Sequence, residues 1–252
     1  MDPLRLLIDL HADGDRQGPG AAEETLRAAS LAGLDGLDGG RALRIADLGC
    51  GTGAASLALA GALGARITAV DLFPAFLDEL RRRARERGLA DRIDPVAASM
   101  DALPLREGAW DAVWSEGAIY NIGFEAGIAR WKRLLRPGGI LAVTELSWLT
   151  AVRPAAIEAH WRAEYPEVDT VEAKRAVLVR HGYQPVATFV LPAACWTAHY
   201  YAPMRARWPA FLERHGHSDA ARAIVDAERE EIALYEAYSE HYGYAFYIAR
   251  VC

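Results

Sequence analysis

The stretch 45–53, IADLGCGTG, constrains this chain more than any other. A mostly apolar run at 43–48 is broken by glycines at alternate positions, Gly49, Gly51 and Gly53, and then enters an alanine-rich pattern at 54–63. That order predicts a buried strand, a tight turn and a helix start. Glycine at such a turn permits positive φ and lets backbone N–H groups approach a ligand with no Cβ in the way. The stretch also fits a relaxed dinucleotide fingerprint, with Gly49, Gly51 and Ala54 in the three small positions. The glycines by themselves leave the ligand open.

Asp47, two residues ahead of the first glycine, narrows the choice. A carboxylate at that strand end repels a pyrophosphate and suits a ligand carrying an amino group and a sulfonium. The pattern D-L-G-C-G-T-G resembles motif I of the class I S-adenosylmethionine (SAM) dependent methyltransferases. The resemblance implies that the loop of Asp47, Gly49, Gly51 and Gly53 cradles the amino-acid end and ribose of SAM.

The flanking sequence repeats the strand and helix alternation. Residues 66–70 read as a second strand ending at Asp71, twenty positions past Gly51, where a carboxylate takes two ribose hydroxyls in NAD and SAM folds alike. Leu72 and Phe73 either offer an apolar surface to an adenine ring or pack an ordinary helix start. A third strand at 92–97 leads to SMDALPL, in which Asp101 can accept from the adenine amine with Met100 on the ring face. The resemblance implies an acidic residue in this loop. A fourth strand at 109–114, a helix at 124–135 and the turn RPGG before a strand at 140–145 complete the alternation. The expected fold is α/β and Rossmann-like, a seven-stranded, mostly parallel sheet with an antiparallel last strand and helices on both faces.

Past residue 146 the pattern changes to helices at 154–164 and 169–180, a strand at 186–191, the aromatic insert CWTAHYYAP, helices at 205–215 and 219–242, and a closing strand at 244–251. The expectation is one domain over 1–252: an N-terminal helical flap (1–42), a SAM-binding core (43–146), and lid helices with closing strands (147–252). In the N-terminal part, 2–10 and 19–31 read as short helices. Between them HADGDRQGPG is too polar and glycine-rich for a core, and reads as a flexible leader or as a flap. RQGPG, WSEGAIYNIGF and CWTAHYYAP further resemble a bacterial small-molecule subgroup of the family. That resemblance implies that Arg16, Gln17 and Gly18 close over SAM.

In a parallel sheet the ligand lies outside the carboxyl ends of the strands, which puts Ser115 and Glu116, and then Glu145, near the transferred methyl. Tyr120 and Asn121 follow as lining residues, with Trp148, Trp196, His199 and Tyr200 entering from the lid. His199 is the candidate general base, and Glu116, Tyr120 and Glu145 are further catalytic candidates. Each has a plainer alternative: Glu145 as a cap or an arginine's partner, His199 bonded to backbone, the lid aromatics as packing. An acidic, aromatic pocket suits an amine or other cationic small molecule through charge pairing and cation–π attraction. Ser115-Glu116-Gly117 stands where amino-methylating enzymes of nucleic acid and protein glutamine carry N-P-P-Y, and there is no Pro-Cys nucleophile.

Composition limits the other classes. A net charge of −6 with no Lys/Arg stripe argues against nucleic acid. Arg81, Arg82, Arg83, Arg85 and Arg87 are expected on a solvated helix face, complementing the dipole. Three scattered cysteines suggest neither disulfides nor a metal site. No apolar run is long enough to span a bilayer, and MDPLRLLIDLHADGD lacks a basic leader, so a soluble cytoplasmic protein without membrane partners is expected. The aromatic C-terminal region is a candidate homodimer face. The competing readings are an NAD-dependent oxidoreductase and a non-catalytic SAM-binding protein.

Overall fold

The structure, a computed structural model, describes residues 2–34 and 41–252. Residues 1 and 35–40 of the expected 1–42 flap lie outside them. Helix α1 (Pro3–Ala12) is started by Asp2, whose carboxylate accepts from Leu4 N at 3.0 Å, with Pro3 in the first turn where its missing N–H costs nothing. Helix α2 (Ala22–Leu31) carries Glu23 and Glu24 in its first turn, facing the positive end of the dipole.

The alternating section follows as β1 (Arg44–Leu48), α3 (Ala54–Leu63), β2 (Arg66–Asp71), α4 (Pro74–Glu86), β3 (Ile93–Ala97), β4 (Trp110–Ser115), α5 (Phe124–Trp131) and β5 (Leu135–Trp148). The tail contains α6 (Ala155–Glu164), the two-residue β6 (Asp169–Thr170), α7 (Val171–Arg180), β7 (Tyr183–Val190), α8 (Ala193–Trp196), α9 (Ala202–Arg214), α10 (Asp219–Tyr238) and β8 (Tyr242–Val251). A π-helical turn, Thr197–Tyr201, joins α8 to α9.

The strands are ordered β3-β2-β1-β4-β5-β8-β7, with β8 antiparallel to both neighbours. The seven-strand expectation holds along this path. β6 is an addition: it pairs with Ser147 and Trp148, where β5 runs beyond its last partner in β4, Ser115 opposite Val143. Some boundaries shift. RPGG stays inside β5 because a register irregularity opposite Trp110 absorbs it, and the 219–242 helix ends at Tyr238 so that Tyr242 can pair with Trp148.

Alternate residues of the central strands feed two cores. Ile45, Ile67, Trp114, Ala142 and Phe246 face one side; Leu48, Val113, Leu141 and Tyr247 face the other with Phe124 and Trp131 of α5. All six residues of β4 are buried, as befits a central parallel strand covered on both faces. A third cluster joins Leu6 and Leu10 of α1 to Phe211 and Val225, so the N-terminal helix is docked on α9 and α10. Among the described residues, no helix is long and apolar enough to cross a membrane.

Phe246 is fully buried between Trp114, with ring centroids 5.5 Å apart, and Phe189, at 5.4 Å. Phe246→Ala is expected to cost about 3–5 kcal/mol, read as a lower urea midpoint at unchanged slope.

Candidate functional site

The carboxyl ends of β1, β2 and β4 surround a cavity of about 590 Å3, a size typical of cofactor clefts. The β1–α3 turn is pinned against β2 by two amides, Gly49 N and Cys50 N, which both donate to Val70 O at 2.8 and 3.0 Å. At Gly49, φ is +71°, and a Cβ would lie 2.4 Å from the Ala118 Cβ, so only glycine lets the turn and the β4–α5 loop meet. At Gly51 a Cβ would lie 2.0 Å from Gln17 Oε1. That space belongs to the N-terminal segment.

This segment is a packed strap across the glycine turn. Thr52 N donates to Gln17 Oε1 at 2.9 Å, and Gln17 Nε2 donates to Thr52 Oγ1 at 3.0 Å. Thr52 Oγ1 in turn donates to Gly14 O at 2.8 Å. Arg16 Nη1 reaches Glu116 Oε2 at 2.7 Å, a pair with side chains only 10% and 7% exposed. Glu116 Oε1 also accepts from Thr25 Oγ1 at 2.7 Å and Trp114 Nε1 at 2.8 Å. One carboxylate therefore fastens the strap, α2 and β4 together. Arg83 corrects the solvated-face reading of its arginine run: it is buried and donates to Gly14 O at 3.1 Å and Thr52 Oγ1 at 3.2 Å.

The cavity is lined by four carboxylates, Asp47, Asp71, Asp101 and Glu116, and by one guanidinium, Arg16. Burial pushes the Asp47 carboxyl up to about 7, against a 2.6 Å bond from Ser56 Oγ; Glu116 and Asp71 push the same way and Arg16 opposes them. Asp71 is held by Gly51 N and Phe73 N, each at 2.9 Å, and burial again raises it. The Met100–Asp101 loop is anchored by Trp131 Nε1 on Met100 O at 3.1 Å and by Arg130 on Asp101 O at 2.7 Å.

Comparison with known proteins agrees with this geometry. Residues 45–139 match the family model described as a methyltransferase domain. A ubiquinone biosynthesis O-methyltransferase of Methylocella silvestris is 30% identical over 168 residues, 66% of this chain and 64% of its own length. The likeness to a methyltransferase domain thus lies in residues 45–139, which hold the glycine turn, and these relatives are methyltransferases. A dimethylglycine N-methyltransferase of Parasynechococcus marenigrum is 33% identical over 139 residues, 55% of this chain and 49% of that protein. The chain thus spans 64% and 49% of the length of these two curated relatives. A solved SAM-dependent methyltransferase of Geobacter sulfurreducens in complex with S-adenosyl-L-homocysteine (SAH) shares the fold, with 97% of both chains covered, a TM-score of 0.82 and 21% identity.

The cavity brings together Arg16, Gln17, Gly18, Asp47, Gly49, Gly51, Asp71, Leu72, Phe73, Met100, Asp101, Glu116, Tyr120 and Asn121. Other expected site residues lie elsewhere, each for a local reason. Gly53 has φ +88°, starts α3 and makes room for Leu80. Ser115 is wholly buried and donates to Leu48 O at 2.8 Å, tying β4 to β1. Glu145 is corrected as a catalytic candidate: it is 0% exposed, because Lys174 Nζ at 2.8 Å and the Tyr165 hydroxyl at 2.5 Å close over its Oε1. Burial outweighs that lysine and raises the carboxyl. Trp148 is buried under Arg153, 4.4 Å from its ring centroid. His199 is also corrected. The π-helical turn buries Trp196, Tyr200 and Tyr201, leaving His199 on the exposed side, away from the cavity. Trp196 stacks on Tyr235 at 4.4 Å and Tyr200 on His11 at 6.3 Å, both in the packing.

The structure also brings up residues that sequence reading passed over. Leu4 and Leu7 of α1 line the cavity, and a Cβ at Gly117 would lie 3.4 Å from the Tyr244 ring. Arg16→Met leaves Glu116 buried beside Asp47 with no cation. It is expected to destabilise the fold by about 3–5 kcal/mol and to make 11–21 more susceptible to limited proteolysis than in wild type.

Proposed function

We propose that this chain is a SAM-dependent methyltransferase acting on a small-molecule acceptor that carries an amine or another cationic group. The observation carrying this reading is the charge imbalance of the cavity, four carboxylates against one guanidinium. Such a wall favours a ligand with a sulfonium and an ammonium and repels the pyrophosphate of NAD. In this reading Asp47 faces the ammonium of the cofactor, and Asp71 takes the ribose hydroxyls with the lone pairs its two backbone bonds leave free. Leu72 and Met100 flank the adenine, and Asp101 accepts from its amine. Gln17 and Gly18 close the near side.

When bound, SAM would supply a methyl group activated by its sulfonium, with the neutral thioether SAH as the leaving group. The protein's part is alignment, exclusion of water and removal of an acceptor proton. The strap excludes water, held shut by Arg16 and Glu116. Tyr120 and Asn121 stand on the cavity wall where an acceptor approaches, and the tyrosine ring offers a π face to a cation. The dimethylglycine N-methyltransferase among the relatives, named for an amine acceptor, supports the amine reading.

Calorimetry with SAH and NAD tests the cofactor. SAH is expected to bind and NAD not; NAD binding in place of SAH would overturn the reading. Because Asp47 sits at about 7 in the free protein and must be ionised to face an ammonium, SAH affinity rises between pH 6 and pH 8 with release of a proton. Asp47→Asn is expected to weaken SAH binding by roughly 10- to 100-fold and to flatten that dependence. Methyl transfer across a panel of amines, alcohols and acids tests the acceptor class; turnover confined to acids would contradict it.

A further inference from the structure

We propose that the acceptor carries an apolar body as well as its cationic group, and that Leu4 and Leu7 of α1 seat that body. The inference rests on the amine reading above and adds the second half of the substrate's chemistry.

Helix α1 has two apolar faces. Leu6 and Leu10, four residues apart, are 0% and 1% exposed and form the face packed on Phe211 and Val225. Leu4 and Leu7, three residues apart, form a second face, and both line the cavity. They are 49% and 37% exposed, so the packing of the described residues leaves much of each side chain uncovered. At 1.5 Å of rise per residue they stand about 4.5 Å apart along the helix, the span of one ring or a short alkyl chain.

The seat is held firmly from its other side. Besides the packed face, Asp9 Oδ2 accepts from Arg214 Nη2 at 2.8 Å and meets His215 Nε2 at 2.7 Å, and Arg207 Nε donates to Leu10 O at 3.2 Å. Four residues past Leu7, buried His11 continues the row of Leu4 and Leu7 and stacks on Tyr200.

The cofactor leaves this face unused. In the reading above its ammonium, ribose and adenine take Asp47, Asp71, Leu72, Met100 and Asp101, none of them on α1. The apolar surface also extends beyond the two leucines. Phe73 and Phe76, at the start of α4, line the same cavity as an edge-on pair with centroids 5.6 Å apart, and α1 lies against α4. Tyr120, 42% exposed, adds another ring to the wall. A cavity that joins such a surface to four carboxylates and one guanidinium matches an amphipathic amine, its cation among the carboxylates and its carbon body on the leucines. A small hydrophilic amine gains nothing from Leu4 and Leu7. Because the face belongs to the cavity wall, its occupant is a molecule that enters the cavity; a second copy of the chain is the competing occupant, and the test separates the two.

The test is calorimetry on SAH-saturated protein with ethylamine, n-butylamine and n-hexylamine, with ethanolamine as the polar control and n-hexanol as the neutral one. Affinity is expected to rise about three- to fourfold for each added methylene, with ethanolamine no tighter than ethylamine. Leu4→Gln and Leu7→Gln, at exposed helix positions that glutamine tolerates, are each expected to lose about fivefold for n-hexylamine and nothing for SAH or ethanolamine. A series flat in chain length, ethanolamine as the tightest ligand, no amine bound, or n-hexylamine affinity unchanged in both variants would overturn the proposal. So would a wild-type dimer in sedimentation that either variant abolishes, because the face would then belong to a second copy. The wild-type series decides the matter even if a variant fails to fold. Failure of the amine reading looks different: n-hexanol would then bind as tightly as n-hexylamine, while the rise with chain length would still support the seat.

Discussion

Negative charge gathered at the carboxyl ends of β1, β2 and β4, with one guanidinium to offset it, is the constraint on which the rest of the site depends. Carboxylates this close together cannot all remain ionised in a protein interior without a positive partner. Burial raises the carboxyls of Asp47 and Asp71, and at Asp47 the charges of Glu116 and Asp71 push the same way. Arg16 meets part of the need, and to do so the N-terminal segment must lie across the glycine turn. The packing of α1 on α9 and α10, the Gln17–Thr52 bonds and the small size of Gly51 all hold it there. Closure of the cleft and its charge are thus one problem with one solution.

Arg16 relieves Glu116, and Asp47 beside it remains without a cation of its own. Glu145, which does have a lysine, is sealed away from the cavity. The acids that face open space inside the protein are the ones left for ligands.

What could be read in the sequence was what local chemistry and spacing determine. The glycine turn, Asp71 twenty residues later and the strand alternation are all expressed within a few dozen residues, and each lies where expected. Partners distant in the chain were not legible. Glu116 was placed by its strand end, but its cation lies 100 residues away, and nothing in SEGAIYN announces Lys174 over Glu145. His199 was read into the site from its place in the aromatic insert, and it stands on the exposed side of a π-helical turn that buries Tyr200 and Tyr201.

The most direct test of the central claim is a crystal structure of the SAH-bound protein. The account predicts the ligand's ammonium beside Asp47, its ribose on Asp71, its adenine between Leu72 and Met100, and the strap closed over it through Arg16 and Glu116. A ligand lying outside this cavity, or one whose ammonium points away from Asp47, would contradict it.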